Sequence, residues 1–180
     1  MNEQEIRQKL LTVEKSVILI DDDIDYKMYK MVAGSLLTLQ SKGSPPVEIL
    51  IDSKGGDIGP GLDIYDAIRL YPGIVTGSVR SQAASIAAII LQACPKRLCA
   101  RHGSILIHIV ARRQVSLDVL ESKPKLERLI ADLRERQGRL DQILIARTGK
   151  TLRRIQSVCK LDKYMKAEEA LEFGLVDEII

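Results

Sequence analysis

Short runs of valine and isoleucine alternate along this chain with segments of helical period, and no other feature restricts its fold as strongly. Val17–Ile20, Val47–Ile51 and Ile74–Val79 are such runs, and helices are predicted between them over 26–41 and about Gly59–Tyr71. Parallel strands joined by crossover helices produce this order. With 180 residues, the chain can bury one sizeable core. We therefore predict a single α/β domain over residues 1–180.

The remaining segments continue the same pattern. Ala83–Ala93 contains small and aliphatic residues almost throughout, which is typical of a helix buried on every side. The other predicted elements are a helix around 3–12, strands near Arg97–Ala100 and Ser104–Ile109, helices from Leu152 and at Ala167–Phe173, and a final strand Leu175–Ile180.

A long charged helix is predicted from roughly Ser122 to Arg147, with Gly149 as its left-handed stop. Its apolar residues lie on one face only. A helix of about 26 residues spans roughly 39 Å, which is long for a domain of this size. Periodicity alone is compatible both with a helix that protrudes and with one that lies along the sheet.

Composition excludes several classes of function. Apolar residues make up 46% and charged residues 28% of the chain, which is typical of a soluble globular protein. No run approaches the ~20 apolar residues of a membrane span, and the charged N-terminus lacks the pattern of a secretory signal. We therefore expect a cytoplasmic protein with no membrane partner. With no Trp and one Phe, the chain offers almost no platform for base stacking, so nucleic acid is not expected as a partner.

Neither the cysteines nor the acidic run indicates a metal. Cys94, Cys99 and Cys159 are odd in number and lack paired spacing, so we expect buried, reduced thiols rather than a disulfide framework or a zinc site. The run 21–25 contains four aspartates but lacks the glycine and final glutamate of a calcium loop. Acidic residues at the start of the next helix are the better interpretation. No metal or cofactor is expected.

Three side chains suggest hydrolytic chemistry. A serine hydroxyl needs a base beside it, an acid to orient that base, and donors for an oxyanion. Ser85 follows a predicted strand and stands between small alanines, His108 lies within an apolar strand, and Asp162 falls in a turn before the Ala167 helix. Taken singly, Ser85 could be a packing residue, His108 a core histidine and Asp162 a capping residue. From the residues alone, a hydrolase is a hypothesis only.

Several separated motifs resemble one known family. Ile51-Asp52-Ser53-Lys54-Gly55-Gly56 resembles the Ile-Asn-Ser-Pro-Gly-Gly turn of the proteolytic subunits of the caseinolytic Clp protease. Gln82-Ala83-Ala84-Ser85 resembles the nucleophile motif of that family, and Ile107-His108 its base. The segment from Asp162 to Ala170 resembles the stretch that carries the family's acid, and Gly174-Leu175-Val176-Asp177 its C-terminal signature.

The resemblance implies a ClpP/crotonase-like α/β fold of repeated ββα-type units with a protruding handle helix, in a handle region of about 109–160. It implies a serine endopeptidase in which Ser85 attacks, His108 carries the proton and Asp162 orients the imidazole. The N–H groups of Gly56 and Ile86 would bind the oxyanion. It further implies a homo-oligomer, either a heptameric ring or stacked rings, that encloses peptide or unfolded protein substrates, with no metal and no cofactor.

The sequence also departs from the family. Glu48 and Leu50 stand where aromatic residues help to form the docking pocket for an ATPase, which argues against docking of an AAA+ unfoldase. After His108, a Gln-Pro and glycine-rich strand is replaced by Ile109-Val110-Ala111-Arg112-Arg113. Ser81 replaces a glycine before the nucleophile motif.

Two other functions stay open at this point. One is a catalytically silent ring subunit that assembles with an active paralogue. The other is a crotonase-type acyl-CoA enzyme, which would use two backbone donors on a thioester without a serine nucleophile.

Overall fold

A mostly parallel sheet forms the centre of the molecule. The computed structural model describes residues 15–111 and 114–180. In the described residues the sheet has seven strands in the order β1-β2-β3-β4-β7, while β5 pairs with β3 and with β6. The strands are β1 Val17–Ile20, β2 Val47–Ser53, β3 Val75–Ala84, β4 Lys96–Cys99, β5 Ser104–Leu106, β6 Met165–Lys166 and β7 Glu178–Ile179.

Helices connect the strands and cover the sheet, as the alternation of apolar runs predicts. Those that the structure describes are α1 Tyr26–Ser41, α2 Ile58–Leu70, α3 Ile86–Leu91, α4 Leu117–Glu121, α5 Lys123–Thr148, α6 Leu152–Cys159 and α7 Ala167–Phe173. The predicted α/β class and the helix boundaries at 26–41 and Ala167–Phe173 are confirmed. The helix predicted at 3–12 lies outside the described residues.

Strand β3 is longer than predicted, and it positions the site. Its first half pairs with β4, from Thr76 opposite Lys96 onward. Its second half pairs with β5, where Ala84 lies opposite Leu106. The prediction of a helix from Ala83 is therefore wrong by three residues, because the ladder with β5 keeps this segment extended until Ser85. The strand predicted to end at Ile109 stops at Leu106, and the last strand is shorter than predicted.

Only the last residue of the acidic run takes part in the following helix, whose first turn contains no acidic residue. Asp25 is the N-cap of α1, and its side chain accepts a hydrogen bond of 2.8 Å from the Met28 N–H. A cap of this kind satisfies one of the free amides of the first turn.

The long helix α5 is buried only near its C-terminal end. Leu140, Asp141 and Leu144 are its buried residues, and Gly149 closes it with a left-handed backbone at φ 67°. The preceding four turns have no buried residue, so this part of the helix protrudes from the sheet rather than lying along it. Across residues 15–111 and 114–180, no helix has the length and apolarity that crossing a bilayer demands.

All three cysteines are buried free thiols. Burial raises the pKa of the Cys94 thiol to about 12, and burial raises those of Cys99 and Cys159 to about 11. A thiol that is rarely ionised is a weak nucleophile, so these residues act as small apolar core residues.

Candidate active site

Ser85 stands at the sharp junction between β3 and α3. Its backbone has φ 59° and ψ −127°, a conformation that a residue with a Cβ adopts only when its surroundings enforce it. The Ser85 N–H donates to the Leu106 carbonyl at 2.9 Å, which extends the pairing of β3 with β5 to this residue. The turn leaves the hydroxyl half-buried at the carboxyl edge of the sheet.

The turn at Gly55-Gly56 packs directly against this junction. A Cβ on Gly55 would lie 2.7 Å from the Ala84 carbonyl oxygen and 2.7 Å from the Ser85 Cβ. Gly55 also has φ 98°, so this position requires glycine for two reasons. The buried Ser53 hydroxyl holds the turn, since it accepts from the Gly55 N–H at 3.1 Å and donates to the Asp22 carbonyl at 2.7 Å.

His108 meets Ser85 directly. Its Nε2 lies 2.8 Å from the Ser85 Oγ, and the ring is half-buried. Its Nδ1 lies 2.7 Å from the carbonyl oxygen of Ile109, the next residue in the chain. A carbonyl oxygen can only accept, so Nδ1 carries the proton and Nε2 offers a lone pair to the serine hydroxyl. This is the tautomer that a general base requires.

Asp162 is not hydrogen-bonded to His108. Its residue is exposed, its backbone is left-handed at φ 48°, and within the described residues no hydrogen bond joins its carboxylate to the imidazole. The antiparallel pairing of β5 with β6 reaches Ile105 opposite Met165, three residues short of His108 on one side and of Asp162 on the other.

Two backbone amides lie free beside the serine. Ile86 is the first residue of α3, where the N–H has no partner within the helix. Among the hydrogen bonds of the described residues, none is donated by the N–H of Gly56 or of Ile86. Gly56 and Ile86 both line the pocket that contains Ser85 and His108.

Aliphatic residues outnumber polar ones in the lining of that pocket, but polar and apolar atoms share its surface about equally. Apart from the serine, the histidine and the glycine, its lining consists of aliphatic side chains and a single amide, contributed by Ile58, Ile86, Ile89, Ile107, Val110, Ala111, Gln137, Leu140 and Leu144. Such a pocket offers both apolar contacts and polar groups to a bound ligand.

The chain matches known proteins along almost its whole length. The family model described as Clp protease matches residues 2–180. The chain belongs to the Clp protease family. The ATP-dependent Clp protease proteolytic subunit 2 of Chlamydia trachomatis serovar D is 31% identical over 167 residues, which cover 91% of this chain and 80% of that protein. The subunit from serovar A of the same species matches to the same extent.

A solved structure of a family member has the same fold. A point mutant of ClpP1 from Listeria monocytogenes superposes with a TM-score of 0.85 at 25% identity, covering 97% of this chain and 95% of that one. The ClpP/crotonase-like fold inferred from the sequence motifs is thus confirmed. As a Clp protease, the chain is related to peptidases, which act on peptide substrates and form oligomeric rings.

Sequence reasoning missed part of this Clp protease site. Gln137 of the long helix lines the pocket, although the motifs that carry the family resemblance lie elsewhere. A signal was present in the sequence: Gln137 and Asp141 are four residues apart, beside the buried Leu140 and Leu144. Two polar residues at helical spacing on an apolar face indicate either a buried polar contact or a site.

Proposed function

We propose that this protein is a serine endopeptidase that hydrolyses peptide bonds of short or unfolded polypeptides within a ring-shaped oligomer. The observation on which the proposal rests is the 2.8 Å contact between His108 Nε2 and Ser85 Oγ, two residues that line the same pocket. A hydroxyl and a neutral imidazole in this relation are the nucleophile and base of acyl transfer.

The proposed reaction begins with attack of Ser85 Oγ on the substrate carbonyl carbon. The hydroxyl proton passes to His108 Nε2, and the carbonyl oxygen becomes an oxyanion. The N–H groups of Gly56 and Ile86 stabilise that oxyanion because neither is engaged within the protein. The imidazolium gives its proton to the leaving amine as the C–N bond breaks. Water then attacks the acyl-enzyme carbonyl carbon and loses a proton to His108 Nε2, and His108 passes that proton to Ser85 Oγ as the ester bond breaks.

Asp162 is the proposed orienting acid. The register of β5 and β6 supports this role, because their antiparallel pairing ends three residues short of His108 on one side and of Asp162 on the other. Tyr164 donates from its hydroxyl to Gln82 Oε1 at 3.3 Å and so ties the Asp162 segment to the strand of the nucleophile.

The proposed oligomer is a homo-heptameric ring or a pair of stacked rings, in which the protruding helix α5 would dock one ring on another. Docking of an AAA+ unfoldase is not part of the proposal. Glu48 is a charged residue at the position where the family resemblance expects an aromatic one, and it accepts a hydrogen bond of 2.7 Å from Ser78.

A fluorophosphonate probe tests the proposal, because it phosphonylates an activated serine without needing a known substrate. In the assembled protein, mass spectrometry should locate the adduct on Ser85. Ser85→Ala should abolish labelling, and His108→Ala should slow it about 100-fold or more. Ser81→Ala is the matched control, since Ser81 is an exposed serine of the same strand. An adduct on Ser81, or equal labelling of the Ser85 variant, would refute the proposal.

One observation favours a second function. His108 Nδ1 contacts a backbone carbonyl rather than a carboxylate, as expected for a catalytically silent ring subunit that assembles with an active paralogue. In that case the isolated protein would take no label. Ser85→Ala would then leave the turnover of the mixed complex unchanged.

A further inference from the structure

A chain of hydrogen bonds leads from His108 away from Ser85 to a buried carboxylate. The imidazole Nδ1 contacts the Ile109 carbonyl oxygen at 2.7 Å. The N–H of the same peptide group, that of Val110, donates to Gln137 Oε1 at 2.7 Å. Gln137 Nε2 then donates to Asp141 Oδ1 at 2.7 Å.

Every donor in this series of hydrogen bonds points toward Asp141. The imidazole donates to one peptide group, that peptide donates to the Gln137 amide, and the amide donates to the carboxylate. Hydrogen bonds aligned head to tail polarise one another, and an anionic acceptor at the end strengthens each bond. The Ile109 carbonyl is therefore a better acceptor for the imidazole proton than an isolated peptide group would be.

The Asp141 carboxylate is buried, and the hydrogen bonds that it accepts come from the neutral amides of Gln137 and Gln156. Its residue is 3% exposed, and its other oxygen accepts from Gln156 Nε2 at 3.1 Å. In the part of the chain that the structure describes, no cation pairs with it. A buried carboxylate satisfied only by neutral amides costs more desolvation energy than asparagine would in the same place. A purely structural hydrogen bond does not require that charge.

We propose that Asp141 and Gln137 are positioning residues for the catalytic base. They act through the peptide group between Ile109 and Val110, hold the proton of His108 on Nδ1, and stabilise the imidazolium that forms when Ser85 loses its proton. The inference rests on the proposed function in that it takes His108 as the base. It assigns part of the anionic support of that base to the long helix rather than to the Asp162 segment.

Few other charges compete for this role. Among the described residues that line the pocket, His108 is the only one that can carry a charge. Asp162, the proposed orienting acid, is exposed and makes no hydrogen bond to the imidazole in this structure, where the Ile109 carbonyl holds the Nδ1 proton.

The test compares Asp141→Asn with Asp141→Ala. Asparagine keeps a shape that Gln137 and a reoriented Gln156 can still bond, but it removes the charge, whereas alanine removes both. A structural role predicts that asparagine restores wild-type behaviour. The proposal predicts that both variants slow fluorophosphonate labelling of Ser85 about three- to tenfold. Asp132→Asn removes an exposed charge from the same helix and is the matched control.

A second readout does not depend on activity. Hydrogen exchange at the imidazole C2, followed by mass spectrometry across pH, reports the protonation of each histidine separately. We expect the exchange midpoint of His108 to fall by about half a pH unit in Asp141→Asn, equivalent to a threefold change in proton affinity. His102, the other histidine of the chain, is exposed and should not change.

The outcomes separate this inference from the proposed function. If wild-type Ser85 takes no label but the His108 exchange midpoint moves in Asp141→Asn, the positioning role of Asp141 stands and the peptidase proposal fails. If Asp141→Asn leaves both the labelling rate and the midpoint at wild-type values, the positioning role is overturned. Should the Asp141 variants not fold, Gln137→Met breaks the same series of hydrogen bonds, while Asp141 keeps the hydrogen bond from Gln156. A wild-type midpoint in Gln137→Met would equally overturn the inference.

Discussion

Ser85, the proposed nucleophile, has a positive φ, which is unfavourable for a residue with a Cβ. At φ 59° and ψ −127°, a residue with a Cβ costs about 1–3 kcal/mol relative to an ordinary conformation. In this conformation the sharp turn directs the Ser85 hydroxyl toward His108, and the next residue, Ile86, begins α3. The same residue thus links the strain of the backbone to the geometry of the reaction.

This strain predicts a difference in folding stability between two variants that lack the Ser85 hydroxyl. Ser85→Gly should be more stable than Ser85→Ala by about 1 kcal/mol, because glycine adopts the conformation freely while alanine keeps the strain, and the gain exceeds the entropic cost of glycine. Urea denaturation of both variants measures the difference. An alanine variant that is as stable as the glycine variant would show that Ser85 is not strained.

Candidate site residues are easier to predict from the sequence than the contacts between them. Ser85 and His108 stand 23 positions apart, and their contact follows from the pairing of β3 with β5, which sequence periodicity does not specify. The position of Asp162 depends on how far a two-residue strand extends, so its role stays a prediction. Gln137 and Asp141 were missed because they lie on a helix whose exposed face dominates its composition.

Element α2 approaches the nucleophile turn closely because of a glycine. A Cβ on the buried Gly61 would lie 2.1 Å from the Ile86 Cγ1, so α2 can pack against the start of α3 only without that atom. Ile86 is also the proposed second donor to the oxyanion. The packing of two helices therefore fixes the position of an amide in the site.

Gly61→Ala should destabilise the protein by roughly 1–3 kcal/mol, because the added methyl group overfills a packed interface. Labelling of Ser85 should fall with it, since Ile86 must move. Gly34→Ala is the matched control: Gly34 is exposed within α1, no atom lies within 4 Å of its added Cβ, and helix propensity predicts a gain of about 0.5–1 kcal/mol. Thermal unfolding measures both, and equal melting temperatures for the two variants would contradict this account of α2.

Strand and helix boundaries show why periodicity alone could not build the site. The segment Ala83–Ala84 is apolar enough for a buried helix, yet it is strand because β5 pairs with it. Helix α5 was predicted correctly to within one residue at each end, since its N-terminal proline and its terminal glycine are local signals. Whether it protrudes was left open by the sequence, because that depends on what the rest of the chain can cover.

Across the whole molecule, an ion pair between a buried arginine of β4 and the partly exposed carboxylate just before β7 holds the C-terminal segment against the sheet. Arg97 is 6% exposed and binds Asp177 through its side chain and its own N–H. The arginine also donates to Gln92 Oε1 at 2.7 Å and to the Gly174 carbonyl at 2.9 Å. The C-terminal signature Gly174–Asp177 recognised in the sequence therefore anchors the end of the chain.

This pair predicts a pH-dependent stability. Burial alone would raise the pKa of Asp177, but the hydrogen bonds from Arg97 outweigh burial and lower that pKa below its ordinary value of 3.8. A carboxyl whose folded pKa is lowered stabilises the fold above its unfolded pKa, and this contribution is lost as the pH falls through the folded value. Asp177→Asn should cost roughly 2–3 kcal/mol at pH 7, less than a fully enclosed pair because 39% of the Asp177 side chain is exposed.

Urea denaturation of wild type and Asp177→Asn across pH checks this expectation. The two unfolding curves should differ at pH 7 and converge at a pH below the folded pKa of Asp177. A difference that stays constant down to the lowest pH would mean that the effect of the substitution is steric rather than electrostatic.

Ser85, activated by His108, is proposed to cleave peptide bonds, and the turnover of an unfolded polypeptide by the assembled protein measures this activity directly. Wild-type protein should generate peptides, and Ser85→Ala in the same assembly should do so about 10⁴-fold more slowly or not at all, with Ser81→Ala unaffected. Turnover by Ser85→Ala at the wild-type rate would contradict this proposal.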